Sequence, residues 1–210
     1  DNGTSSQVVL PPYAPAHAKA SVYEGGISVP LIVRSPRIDP SLEGTYCEAL
    51  VGLIDIYATT CELAGVDPMT TPGVDSISLV PYLDGAGVSL RTLQYTEVFY
   101  PNFVPDPVSG GLPAGYIGIK HDQALRNARF KLIRKWRRSH ATLLPILSEE
   151  LYDMVAGGPS SGSSPGFPLP DFLEANNLLR PEALPLSPEA QAAYDMLRSE
   201  LDVNYPSLVF

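Results

Sequence analysis

The chain has 210 residues, 44% of them hydrophobic, with 22 prolines and 17 glycines, which supports one core, or a core plus a small appendage, in a loop-rich fold. Its formal charge of −9 argues against a binder of nucleic-acid backbones, which needs a basic face. No apolar run reaches membrane-spanning length and no signal peptide is visible, and two cysteines, Cys47 and Cys61, are too few for a disulfide framework.

Reading along the chain, Val29-Pro30-Leu31-Ile32-Val33-Arg34 is a short apolar run closed by Ser35-Pro36, and predicts a buried strand. From 48 to 64 the apolar positions Leu50, Val51, Ile54, Tyr57, Ala58, Cys61 and Leu63 keep helical spacing, and Gly65 sits where a C-terminal cap belongs. Cys61 falls in this helical pattern, where a buried thiol is the default; a Cys47–Cys61 bridge has little support. Residues 75–83 predict a loop entering a short helix that stops at Asp84-Gly85. This alternation fits an α/β layer.

After Leu90-Arg91 the texture changes to short strands at 93–100, 116–119, 123–127 and 130–136, with Asn127-Ala128-Arg129 as a tight connection and a short edge strand at 151–153. The basic run Arg134-Lys135-Trp136-Arg137-Arg138 is read as a solvated strand end rather than a polyanion site. Residues 101–115 and 157–170 are Pro-, Gly- and Ser-rich loops. Ser187-Pro188-Glu189 opens a C-terminal helix with an N-cap, a proline at its first position and an early acid. The expected organisation is α/β, with an α/β part over 1–92 and a small antiparallel-sheet subdomain with a terminal helix over 93–210.

Chemistry concentrates at the start. Asp1 and Asn2 offer a carboxylate and a carboxamide oxygen at a turn ending in Gly3, the donors a hard cation prefers. Taken alone, Asp-Asn-Gly is a good turn tripeptide, and Asn2-Gly3-Thr4 is also a glycosylation sequon, a use that excludes metal ligation by Asn2. The context that decides for the metal is Lys19-Ala20-Ser21-Val22-Tyr23-Glu24-Gly25-Gly26-Ile27-Ser28-Val29-Pro30. Asp-Asn-Gly, a variable loop, then Lys-x-x-x-aromatic-Glu-Gly-Gly-x-x-x-Pro resembles the second half of the sulfatase active site, in the alkaline phosphatase superfamily. Ser28 stands where most members have Arg. The stretches 49–66, 73–79, 124–133, 150–154 and 176–178 resemble later structural segments of the family, so the likeness covers nearly the whole chain.

The resemblance implies an alkaline-phosphatase-like α/β sulfatase domain in its C-terminal part, with Asp1 and Asn2 as ligands to Ca²⁺, Mg²⁺ being second choice. It implies Lys19 as the catalytic group that also binds substrate beside the leaving oxygen. His17, in the loop before Lys19, is a weak substrate contact. The formylglycine nucleophile and the first pair of metal-binding acids of such enzymes are absent from the sequence: neither Cys47 nor Cys61 stands in the required motif. They are expected in an N-terminal segment ahead of Asp1, without which the chain should not turn over. The expected partners are that segment and a sulfated small molecule or carbohydrate, with no nucleic acid; the compartment implied is periplasmic, secreted or lysosomal. Two alternatives stay open: a phosphodiesterase or phosphonate monoester hydrolase of the same superfamily, and a non-catalytic binding module using the loops at 101–115 and 157–170. Arg126, Trp136 and Tyr100 suit either substrate contact or packing. His121 and His140 receive no role, and the acid pairs Glu62/Asp67 and Glu149/Glu150 are expected on the solvated surface.

Overall fold

The computed structural model describes residues 3–10, 14–67, 75–86, 89–100, 120–139, 144–155, 174 and 176–207. Packing divides the chain into two compact units, Asp1–Val29 with Tyr95–Phe210, and Pro30–Gln94. The first 29 residues therefore group with the strand-rich second half.

That larger unit is built on a sheet in the order β1 (Gln94–Tyr100), β2 (Lys120–Arg126), β3 (Phe130–Arg138) and β4 (Pro145–Asp153). β2 and β3 pair antiparallel, Leu125 facing Leu132 and Ala124 facing Ile133. The Asn127 side chain makes the predicted tight connection: its Oδ1 accepts from the backbone N–H groups of Arg129 (2.8 Å) and Phe130 (2.7 Å). β3 then pairs antiparallel with β4, Leu132 facing Leu151 and Ile133 facing Glu150.

Side chains alternate across a strand, so the register sorts this sheet into two faces. One carries Leu125, Leu132 and Leu151, which are fully buried together with Leu197 and Leu201 of α4 (Pro188–Asn204). Each such side chain contributes roughly 1.5–3 kcal/mol. α4 starts as predicted, with Ser187 Oγ accepting from the Ala190 N–H at 3.2 Å. Arg134 ties the same face to the helix through Asp202, at 2.6 Å, and Tyr194 of α4 donates to Glu149 at 2.5 Å. The opposite face carries Ala124, Ile133 and Tyr152, which form a core with Val22, Tyr23 and Met154. The segment holding the predicted site thus forms the layer on that face.

In the smaller unit, α2 (Asp55–Leu63) begins seven residues later than the apolar spacing predicts. Asp55 explains the start: its carboxylate accepts from the Gly52 N–H at 2.8 Å and the Ile77 N–H at 2.9 Å, and pairs with Arg91. The end is as predicted, with Gly65 at φ 72 and the Val66 N–H donating to the Cys61 carbonyl at 2.8 Å. α3 (Val80–Leu83) is the short helix expected before Gly85.

Four expectations are corrected. Residues 29–34 do not form a strand, because a strand needs a hydrogen-bonded neighbour and none of the described residues supplies one. The fourth strand spans nine residues rather than three, and it uses Glu149 and Glu150 to meet the basic run. Those acids are not solvated: Arg134 lies 2.8 Å from Glu149 and Lys135 2.6 Å from Glu150, while Arg137 pairs with Asp122. The basic run is thereby neutralised within the sheet. Cys47 is an exposed free thiol and Cys61 a half-buried one, so they are not bridged. The expected strand at 116–119, His140 and the loops at 101–115 and 157–170 lie outside the described residues, and Glu62 and Asp67 are exposed.

Candidate active site

The site loop is held by close backbone approach. Gly3 has φ 88, a left-handed conformation that glycine takes without steric cost. A Cβ on Gly3 would stand 2.5 Å from the Gly25 carbonyl oxygen. Beside that contact the Thr4 N–H donates to the Gly25 carbonyl at 3.4 Å, and the Lys19 N–H donates to the Thr4 carbonyl at 2.9 Å. Three sequence-distant pieces, the turn after Asn2, Lys19 and the Gly25-Gly26 pair, are thus stitched edge to edge.

The glycine pair has a steric reason as well. A Cβ on Gly25 would meet the His17 carbonyl oxygen at 2.7 Å, and one on Gly26 would meet the Ser21 and Ala18 carbonyl oxygens at 2.5 and 2.7 Å. Ser21 Oγ donates to that Ala18 carbonyl at 2.6 Å. Ala20, next to Lys19, is held at φ 69, a conformation that costs a residue with a Cβ of order 1 kcal/mol. The loop is wound tightly enough to impose that conformation on it.

Glu24 fixes the loop to the sheet. It opens α1 (Glu24–Ile27) and is buried, with Lys131 Nζ of β3 2.8 Å and Arg126 of β2 3.4 Å from its Oε1. Lys131 also lies 2.7 Å from Glu174 Oε1, off line for a hydrogen bond, while Glu174 Oε2 accepts the Glu24 N–H at 2.7 Å. Burial works to raise the Glu24 carboxyl pKa, but Lys131 and Arg126 overcome it and hold the group below the usual carboxylate range. Glu174 goes the other way: burial pushes it up to about 7, with Lys131 opposing and the Glu24 charge adding to the rise.

Next along, Tyr23 donates to Glu150 Oε2 at 2.5 Å and also contacts Lys135 Nζ. Burial, reinforced by Glu150, raises its phenol well above the usual range. The His17 ring stacks on Tyr23 at 3.5 Å. His17 is therefore packed against the loop's anchor.

The described part of the predicted site is brought together: Gly3, Thr4, Lys19, Gly25 and Gly26 adjoin, with His17 one ring away. Asp1 and Asn2 lie outside the described residues. Arg126 is committed to Glu24, Trp136 is half-buried and Tyr100 is exposed on β1. His121, given no role from sequence, is buried on β2 between Glu97 (3.1 Å) and Ser207 (2.8 Å) and stacked on Phe99. Sequence reasoning also missed the Glu24–Lys131–Glu174 cluster. A signal existed in Lys131, a charged residue set between Phe130 and Leu132 in an apolar strand.

Arylsulfatase K of Xenopus laevis is 37% identical over 92 residues, which are 44% of this chain and 16% of that protein. A Bacteroides thetaiotaomicron crystal structure, provisionally designated a sulfatase, superposes on 88% of this chain and 31% of its own, with a TM-score of 0.53 at 21% identity. Over part of its length the chain is thus similar to proteins named as sulfatases. No family model matches it. The chain spans under a third of the length of either relative, and its mixed α/β fold is similar to that of the solved one. Among the described residues, no helix is long and apolar enough to cross a membrane, and no group of three or more His, Cys, Asp or Glu side chains is placed to hold a metal ion.

Proposed function

We propose that this chain supplies the cation-binding turn and the leaving-group lysine of an enzyme that hydrolyses sulfuric esters. The observation that carries the reading is the backbone stitching of Gly3-Thr4, Lys19 and Gly25, which sets Lys19 beside the turn that follows Asp1 and Asn2. The donor chemistry of that turn fits a hard cation: one carboxylate and one carboxamide oxygen, suited to Ca²⁺ first and Mg²⁺ second. When bound, such a cation supplies polarisation of the sulfate oxygens.

Lys19 is the group of this chain that acts on the ester. It is exposed, and among the described residues its ammonium has no ion pair, whereas Lys131, Lys135, Arg126 and Arg134 are all committed to carboxylates. An uncommitted ammonium is available to offset the charge that grows on the ester oxygen as the S–O bond breaks. Gly25 and Gly26 let the backbone close behind Lys19, and His17, stacked on Tyr23, walls the loop. The nucleophile, a formylglycine by family resemblance, would come from polypeptide ahead of Asp1. A periplasmic, secreted or lysosomal location belongs to the same reading.

The test uses the intact enzyme encoded by the source gene, assayed with p-nitrophenyl sulfate in Ca²⁺. Lys19→Ala should lower kcat by roughly 10²–10³-fold while the thermal midpoint stays put, since the side chain is exposed. Unchanged kcat at full stability takes Lys19 out of the reaction. Preferred turnover of p-nitrophenyl phosphate or a phenylphosphonate ester moves the reading to phosphoryl transfer.

A further inference from the structure

Glu174 is held in an unusual way. Its backbone takes φ 42, in the left-handed region that residues with a Cβ avoid, and its side chain is fully buried. The chain just after it is fastened to the sheet: Asn177 Oδ1 accepts from the Leu151 N–H at 3.0 Å, and the Leu178 N–H donates to the Leu151 carbonyl at 2.8 Å. A strained backbone upheld by its surroundings points to a side chain whose position matters.

That side chain reaches the site loop through the backbone. Its Oε2 accepts the Glu24 N–H at 2.7 Å. One residue on, the Gly25 carbonyl accepts the Thr4 N–H, and the Thr4 carbonyl accepts the Lys19 N–H. Three hydrogen bonds therefore link Glu174 to Lys19. The other oxygen, Oε1, receives no hydrogen bond although Lys131 Nζ stands 2.7 Å away, because that ammonium is aimed at Glu24. Two buried carboxylates thus divide one lysine, and Glu24 has Arg126 besides. A second full charge there, without a donor of its own, is costly. Burial pushes the Glu174 carboxyl up to about 7, with Lys131 opposing and the Glu24 charge adding to the rise.

We infer that Glu174 is a positioning residue for Lys19: its neutral carboxyl, acting through Glu24, seats the site loop, and its ionisation loosens that seat. The inference rests on the functional reading above for the role of Lys19, but seating is read separately from catalysis. The groups facing Glu174 are Glu24 of α1, Lys131 of β3, and the phenols of Tyr23 and of Tyr152 on β4. Both phenols are raised well above their usual range by burial and stay neutral. Arg126 of β2 meets the cluster at Glu24, and Glu150 of β4 is paired with Lys135. Glu174 is the member of this set placed to change charge near neutrality. Its value is raised in the seated loop, so the seating contribution is complete below 4.5 and is lost as pH rises through about 7.

Amide exchange of the 19–26 segment, corrected for the intrinsic pH dependence of exchange, follows the seat directly. From pH 5 to pH 8.5 protection in the wild-type chain should fall by roughly 50–100-fold. Glu174→Gln, which still accepts the Glu24 N–H, should hold its protection; His17, stacked on Tyr23, is common to both proteins and cancels. Glu174→Ala loses the acceptor and should be poorly protected at both pH values. In the intact enzyme on p-nitrophenyl sulfate, Glu174→Ala should lower kcat at least about 10-fold with KM little changed, and Glu174→Gln should restore it. Parallel curves for wild type and Glu174→Gln overturn the inference, as does wild-type protection in Glu174→Ala at pH 5. Wild-type kcat in Glu174→Ala, with protection lost, overturns the link to Lys19. An intact enzyme that cleaves no sulfate ester sinks the functional reading, and the exchange curves alone then decide whether Glu174 seats the loop.

Discussion

Replacing Glu174 by Gln should make the chain more stable at pH 8 and leave it nearly unchanged at pH 4. Glu174 is 2% exposed, and burial lifts its carboxyl from 4.5 to about 7. Because the folded-state value is the higher one, the native chain binds more protons than the unfolded chain between those two pH values. The favourable contribution is complete below 4.5 and is lost as pH rises through about 7. At about 1.36 kcal/mol per pH unit, that interval corresponds to about 3 kcal/mol by pH 8. Glutamine keeps an oxygen to accept the Glu24 N–H and carries no charge to desolvate, and Lys131 retains Glu24 as its ionic partner. Thermal or urea unfolding of wild type and variant at both pH values isolates the term, since the other titrating groups cancel in the difference. For a chain this size the expected gain at pH 8 is on the order of 6–12 °C in Tm. If the two proteins show parallel stability–pH curves, or the variant is less stable at pH 8, then Lys131 neutralises Glu174 fully and the cluster has been misread.

Three further outcomes are expected. Lys131→Met should cost about 3–5 kcal/mol, read from urea unfolding at pH 7, because it leaves two buried carboxylates facing each other with only Arg126 near Glu24; a loss under 1 kcal/mol contradicts this. Gly26→Ala should destabilise by about 1–3 kcal/mol through the collisions with the Ser21 and Ala18 carbonyls, and a wild-type Tm would show that the loop relaxes freely. Asp55→Ala removes the acceptor of two backbone N–H groups and the partner of the largely buried Arg91; amide exchange should rise across 52–63 and 75–79 while the sheet amides keep their protection.

How legible the fold was in the sequence depended on whether a signal was local. The Asn127 turn, the Ser187 cap and the Gly65 cap are each written in a few adjacent residues, and each is where the sequence places it. The core strands 130–136 and 123–127 were readable from their apolar content, whereas β4 was recognised only at 151–153. Its first six residues, 145–150, include Ser148, Glu149 and Glu150, and those acids enter a strand because Arg134 and Lys135 stand opposite them. That pairing is a tertiary fact with no local trace. The 30–34 segment failed in the other direction: its sequence is that of a buried strand, but a strand exists only with a neighbour.

The candidate site divides in the same way. Asp1-Asn2-Gly3, Lys19 and Glu24-Gly25-Gly26 could be picked out because their residue types and spacing carry chemistry, yet what each glycine does depends on contacts across the loop. Gly25 is small because the His17 carbonyl is 2.7 Å from where a Cβ would be, and no spacing rule contains that distance. Glu24 is the more instructive residue. The motif gives it no role from sequence, and its buried carboxylate is paired with Lys131 and Arg126 of the sheet. An ion pair buried between loop and sheet is a poor source of net stability, though it restricts the loop to one seating, since any other leaves a charge unpaired. The Lys19 loop therefore depends for its geometry on a lysine 112 positions later. A mutation at Lys131 should disturb the site without touching substrate.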